Sequence, residues 1–99
     1  TNNLLTSIDL SNNTELLSLY CNANLITALD FSNNTKLNEM RCHNNQIKET
    51  EMGVMVNSMP NRQGKTGGTY MIVALSGNEG NEFTDTHKNI LTSKNWQEW

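Results

Sequence analysis

The chain has 99 residues, 35% of them hydrophobic and 17% charged, with a net charge of -3 at pH 7. That is too short for two domains, and seven scattered Lys and Arg residues give no electrostatic footprint for nucleic acid, so that partner class is set aside. Seventeen asparagines and eleven threonines against one proline is not the composition of a disordered tail, so the asparagines are expected to hold structure.

The N-terminal Thr1-Asn2-Asn3 has neither the basic segment nor the apolar stretch of a signal peptide, so an export signal is expected to be removed or to lie outside this sequence. The longest apolar run, 71–75, is five residues, far short of the roughly 18 that span a bilayer. No membrane-spanning segment is expected.

From residue 8 onward the chain repeats itself at an offset of 21. Ile8 matches Leu29, Leu10 matches Phe31, Asn13 matches Asn34, and Leu16 and Leu19 match Leu37 and Met40. Cys21, Asn24 and Ile26 then match Cys42, Asn45 and Ile47. In Leu19-Tyr20-Cys21 and Met40-Arg41-Cys42 the order is apolar, polar, apolar, which is what a strand with one buried face requires. Stacking of such units places each asparagine over its equivalent, where a buried amide can satisfy the backbone of the turn that ends the strand. Cys21, Cys42, Asn24, Asn45, Asn13 and Asn34 are therefore expected to form a structural ladder.

The two halves of one unit, LxxLxCxxN at Leu16, Leu19, Cys21 and Asn24, and LxxLDxSxN at Ile26, Leu29, Asp30 and Asn34, resemble the leucine-rich repeat. The Cys-containing 21-residue form is similar to internalin-type bacterial surface repeats. The resemblance implies an α/β fold: a right-handed solenoid with a parallel β-sheet and an α/β C-terminal cap. It places about two coils and a half coil in residues 1–48 and a cap continuous with them in residues 49–99. Because solenoids generally need at least three repeats, the chain is expected to be the C-terminal part of a longer protein.

Beyond Ile47 the period stops. Met52, Met55, Val56 and Met59 fall at helical spacing after Thr50 and before Pro60, which predicts a short amphipathic helix. A polar loop over 61–68 follows, and residues 69–75 read as a strand. A strand-helix-strand connection into one sheet is parallel, so Tyr70 to Val73 are expected to pair beside Met40 to Cys42. After a turn-rich loop over 77–82, Thr84 is a plausible N-cap with Asp85 in the first turn, and a helix over 87–94 is expected to cover the sheet end before Asn95-Trp96. The succession of MP, R, GK, NEGN and NW also looks like the C-terminal cap of leucine-rich-repeat surface proteins from gut bacteria.

Several candidate sites dissolve on geometry. Gln63-Gly64-Lys65-Thr66 has the end of a phosphate loop, but Met59 stands where the first glycine belongs and a helix precedes the loop. Cys42 and His43 are adjacent on a strand, so their side chains point to opposite faces and cannot act together. Cys21 and Cys42 would sit about 4.8 Å apart on neighbouring strands; that distance permits a disulfide, but parallel side chains in the core favour two free thiols. Asn12-Asn13-Thr14 and Asn33-Asn34-Thr35 fit a glycosylation acceptor pattern already explained by the repeat. Asp9 and Asp30 raise calcium as an idea, without the acidic order of an EF-hand. No cofactor or metal is expected, and no nucleophile, base and stabilising group converge as an enzyme would need.

What remains is the outward face of the sheet: Ser18, Tyr20 and Asn22 on one strand, Glu39, Arg41 and His43 on the next. Tyr and Arg are residue types enriched in interface hot spots. The expectation is a non-catalytic module of a secreted or cell-surface bacterial protein that binds a protein or glycan through a concave sheet. The alternative is a structural spacer or end cap with no ligand of its own.

Overall fold

The structure is a computed structural model that describes residues 4–73 and 80–98. Its elements in chain order are β1 (Ser18–Tyr20), β2 (Glu39–Arg41), α1 (Glu49–Ser58), β3 (Gly68–Met71), α2 (Asp85–Ser93) and β4 (Trp96–Glu98). The strands form one sheet in the order β1-β2-β3-β4, and every neighbouring pair is parallel. The fold is thus α/β with a parallel sheet, as the sequence led us to expect.

The 21-residue period sets the register of the first pair, since Ser18, Leu19 and Tyr20 lie opposite Glu39, Met40 and Arg41. Leu19 and Met40 face inward, and the core continues through Leu37, Cys42 and Ile47, each fully buried. The next pair sets Met40 opposite Tyr70, the pairing expected from the strand-helix-strand order. The strand itself runs Gly68–Met71 rather than over 69–75; Ala74 and Leu75 lie outside the described residues, as do Gly77, Asn78 and Glu79 of the expected loop.

Helix α1 begins one residue before Thr50, buries Met52, Met55 and Val56, and ends ahead of Met59 and Pro60. Both of its ends are closed by distant parts of the chain. The Glu49 N–H donates to Glu82 Oε1 at 2.9 Å, and Glu49 and Glu51 add negative charge to the first turn, where the helix dipole favours it. The last turn has no cation of its own. Instead the Lys94 ammonium donates to the carbonyls of Val56 at 3.2 Å and of Asn57 and Met59 at 2.7 Å, satisfying groups that a helix C-terminus leaves orphaned.

Helix α2 is capped by Thr84, whose side chain accepts from the His87 N–H while His87 Nδ1 accepts from the Thr84 N–H at 3.0 Å. The Thr84 cap was legible in the sequence; the reciprocal use of His87 was not. The helix spans Asp85–Ser93 rather than 87–94, and it packs on α1 and β4. The expectation that it covers the sheet end needs correction, because β4 occupies that position. Asn95 takes a left-handed backbone (φ 65°) and donates to the Arg62 and Lys65 carbonyls at 3.0 and 3.2 Å, which turns the chain back into the sheet. Trp96 then lies on Gly68, where any Cβ would overlap its ring, and its Nε1 donates to the Pro60 carbonyl at 2.9 Å. A glycine directly opposite the tryptophan is what lets the two backbones pair.

Candidate functional site

Parallel sheets are usually covered on both faces. Here the helices and the core occupy one face, and the other carries rows of exposed or half-buried residues set by the register: Ser18, Glu39, Thr69 and Gln97 in one, Tyr20, Arg41 and Met71 in the next. The Arg41 guanidinium carbon lies 4.8 Å from the centre of the Tyr20 ring, a cation–π contact. Ser18 Oγ donates to Glu39 Oε1 at 3.0 Å. The Glu39 carboxylate also takes a hydrogen bond from the Tyr20 hydroxyl, which holds that hydroxyl above its ordinary pKa. Four of the six residues singled out for this face therefore form one connected group. Asn22 and His43 stand apart from it: their carbonyls accept from the Asn24 and Asn45 amides at 3.3 and 3.4 Å, and their side chains are half-buried. Sequence reasoning missed Thr69, Met71 and Gln97, although the alternation of Gly68 to Met71 was available as a signal for the first two.

Comparison with family models, curated proteins and solved structures returns no match for this chain. The residues themselves must carry the functional argument.

Beneath the open face, the asparagines tie the units together. Asn24 Nδ2 donates to the Cys21 carbonyl at 3.0 Å, and its Oδ1 accepts from the Leu5 N–H at 3.2 Å. Asn45 repeats this with Cys42 at 2.9 Å and Ile26 at 2.9 Å, and adds a bond to Cys21 on the preceding strand at 3.0 Å. A third rung is present at Asn81, which donates to the Ile72 and Cys42 carbonyls at 2.9 and 2.8 Å and accepts from the Ile47 N–H at 3.0 Å. The pattern Cys-x-x-Asn-x-Ile thus returns as Ile72, Asn81 and Phe83, with six more residues between the first two than in the earlier units. That insertion hides the third unit from a search at constant period. Gly80 belongs to the same rung, because a Cβ there would collide with the Asn45 carbonyl and the Gln46 amide.

On the opposite side of the units, Asn34 is fully buried and donates to the Asn13 and Leu10 carbonyls at 2.8 and 3.2 Å. Asn13 is exposed and enters this ladder as an acceptor through its carbonyl. Each unit donates to the one before it, so the first rung has only backbone to offer the second.

Asp9 and Asp30 act as turn acceptors. Asp9 accepts from both the hydroxyl and the N–H of Ser11, at 2.7 and 3.0 Å, and Asp30 from the Ser32 N–H at 2.9 Å. These bonds lower both carboxyl pKa values, the Ser11 hydroxyl dominating for Asp9 and the Ser32 N–H for Asp30. The loop over 63–66 is closed from below by Arg62, whose Nε and Nη2 donate to the Thr66 carbonyl at 3.0 and 2.9 Å. Among the described residues no three His, Cys, Asp or Glu side chains come together as a metal site, and no helix is long and apolar enough to cross a membrane.

Cys21 and Cys42 are buried and unbridged. Burial pushes the Cys21 thiol up to about 12 from 9.0, so the reactive thiolate is scarcely populated there at pH 8. Since the folded pKa exceeds the unfolded one, this contribution to stability is intact below pH 9 and is lost as pH rises towards 12. We expect native protein to react slowly with an aromatic disulfide reagent at pH 8, and protein unfolded without reductant to release two thiols. Release of none after unfolding would reveal a bridge.

Proposed function

We propose that this chain is a non-catalytic interaction module of leucine-rich-repeat type, a right-handed solenoid closed by a cap over residues 49–99, which binds a protein or glycan through the open face of its parallel sheet. The observation that carries the reading is a polar face left uncovered among the described residues, on a sheet class that normally has both faces covered. On it, the Tyr20–Arg41 pair offers a flat aromatic surface with a guanidinium held over it, a combination suited to protein hot spots. The repeat at Leu16, Leu19, Cys21 and Asn24, the register of 21 and the asparagine rungs support the solenoid part of the reading. The internalin-like form of the repeat supports placing the parent protein outside a bacterial cell, either secreted or at the cell surface.

The test is a binding screen of the chain against a glycan array and a displayed peptide library, run in parallel with Tyr20→Ala and Arg41→Ala. Tyr20 is exposed and Arg41 half-buried on the open face, so each variant should fold with stability within about 1 kcal/mol of the parent while losing most of the binding signal. Hits that survive both substitutions would remove this face from the reading. A chain that captures nothing in either format would favour the spacer alternative, in which the mutual bonding of Ser18, Glu39, Tyr20 and Arg41 serves only the face itself.

A further inference from the structure

On the helix side of the sheet, α1 and the return segment of the second unit enclose a groove of about 320 Å³ that is open to solvent and lined by Ile8, Ala28, Leu29, Asp30, Glu51 and Val54. Its origin can be traced in the sequence. At the offset of 21, Asp30 matches Glu51 and Phe31 matches Met52, so α1 stands where a third return segment belongs. A helix about 10 Å across packs here against a segment without regular structure, and the small Ala28 side chain in the wall does not close the gap. The volume lies at the low end of the range for ligand pockets, about 300 to 1,000 Å³, which leaves room for one long side chain.

The lining is apolar except for two carboxylates. Val54 is 53% exposed and Ala28 is exposed, so apolar surface is left in water there. Asp30 accepts the Ser32 N–H, a bond that lowers its pKa and keeps it charged. Glu51 stands in the first turn of α1, where the helix dipole favours negative charge. No cation answers either of them. The ion pairs among the described residues are Lys36–Glu15 and Lys88–Glu98, and Lys48, just ahead of α1, donates its ammonium to the Gly80 carbonyl at 2.6 Å. An apolar trough with carboxylates from two different elements and no cation in its walls is complementary to a positive charge on an aliphatic stem.

We infer that this groove is a docking site for a lysine side chain presented by a protein partner, its stem lying on Ala28, Leu29 and Val54 and its ammonium donating to Asp30 and Glu51. The chemistry selects lysine over arginine. An ammonium is a compact charge whose three donors can serve two separate carboxylates, whereas the planar guanidinium fork matches a single carboxylate bidentately. It also selects a side chain over an inorganic cation, because only the side chain brings an apolar stem to cover the trough. The groove uses none of the residues of the open sheet face, so it stands or falls apart from the binding proposed there.

The test is a titration of the full chain, followed by amide NMR, with the peptide acetyl-Leu-Lys-Leu-amide and with its arginine and glutamine counterparts, whose blocked ends leave the central side chain as the only difference. The lysine peptide should shift the amides of Ala28, Asp30, Glu51 and Val54 saturably, and the glutamine peptide should not. Asp30→Asn, which keeps an acceptor for the Ser32 N–H, and Glu51→Gln should each weaken binding by about threefold, the scale of one exposed ion pair. Ala28→Phe, which fills the groove from an exposed position without changing the charge, should abolish binding, and the spectrum of each variant shows whether it has folded. Binding by the lysine peptide that is absent, that shifts Tyr20 and Arg41 instead, or that is unchanged in Asp30→Asn and Glu51→Gln would overturn the inference. So would equal binding of the arginine peptide, which would assign the groove to a guanidinium, or of the glutamine peptide, which would leave apolar contact alone.

Discussion

Asn45→Ala should lower the unfolding free energy by about 2 to 3 kcal/mol, because it strands the buried Ile26 N–H, a loss of about 1 to 3 kcal/mol, and takes one donor from each of the Cys21 and Cys42 carbonyls, which keep Asn24 and Asn81. The Ile26 N–H loses its acceptor, and the Cys21 and Cys42 carbonyls lose a shared donor, in a place where Asn45 is 0% exposed. No water reaches such a site without opening the stack. Asn24→Ala should cost less, about 1 kcal/mol, since its acceptor role serves only Leu5, which is half exposed. Urea melts of the two variants check the order. Equal losses, or a small loss at Asn45, would mean that the asparagines line the turns without holding them.

Trp96→Ala should cost about 3 to 5 kcal/mol, the range for deleting a large buried aromatic residue. The ring is 1% exposed, it covers the backbone of Gly68, and its Nε1 satisfies the Pro60 carbonyl just beyond α1. Without it β4 has no buried side chain, since Gln97 and Glu98 are exposed. The last strand should therefore detach, and with it the neighbouring Lys94 ammonium that closes α1. Trp96→Phe keeps most of the apolar area and loses the hydrogen bond, so a loss of about 1 to 2 kcal/mol is expected. Denaturant melts with fluorescence or circular dichroism distinguish these outcomes. An alanine variant as stable as the phenylalanine variant would show that the ring is not what fixes the end of the sheet.

The parts of this fold legible in the sequence are those set by local period. Leu16, Leu19, Cys21 and Asn24 recur at a fixed offset, so the β1–β2 register followed directly. Met52, Met55, Val56 and Pro60 marked α1 because buried spacing and a terminator are both local properties. The strand of Tyr70 was placed beside Met40 by the rule for crossover connections. Asn81 escaped because a six-residue insertion moved it out of phase with Asn45. Strand β4 escaped because three residues carry too little pattern, and its cause, a glycine facing Trp96 from 28 positions earlier, is visible only in three dimensions. On the open face, Tyr20 and Arg41 could be named from alternation alone, whereas the Glu39 bonds that organise them depend on side-chain geometry.

Three asparagine rungs, each joining its own strand end to the unit before it, hold the repeat together, and the most direct test is residue-resolved amide hydrogen exchange in the parent and in Asn81→Ala. In the parent, the Ile26 and Ile47 amides, bonded to Asn45 and Asn81 at 2.9 and 3.0 Å, should exchange only through opening of the stack. In Asn81→Ala, protection at Ile47 should fall by at least tenfold relative to Ile26, whose own rung is intact. Equal protection of Ile47 in both proteins, or rapid exchange of both amides in the parent, would contradict the ladder.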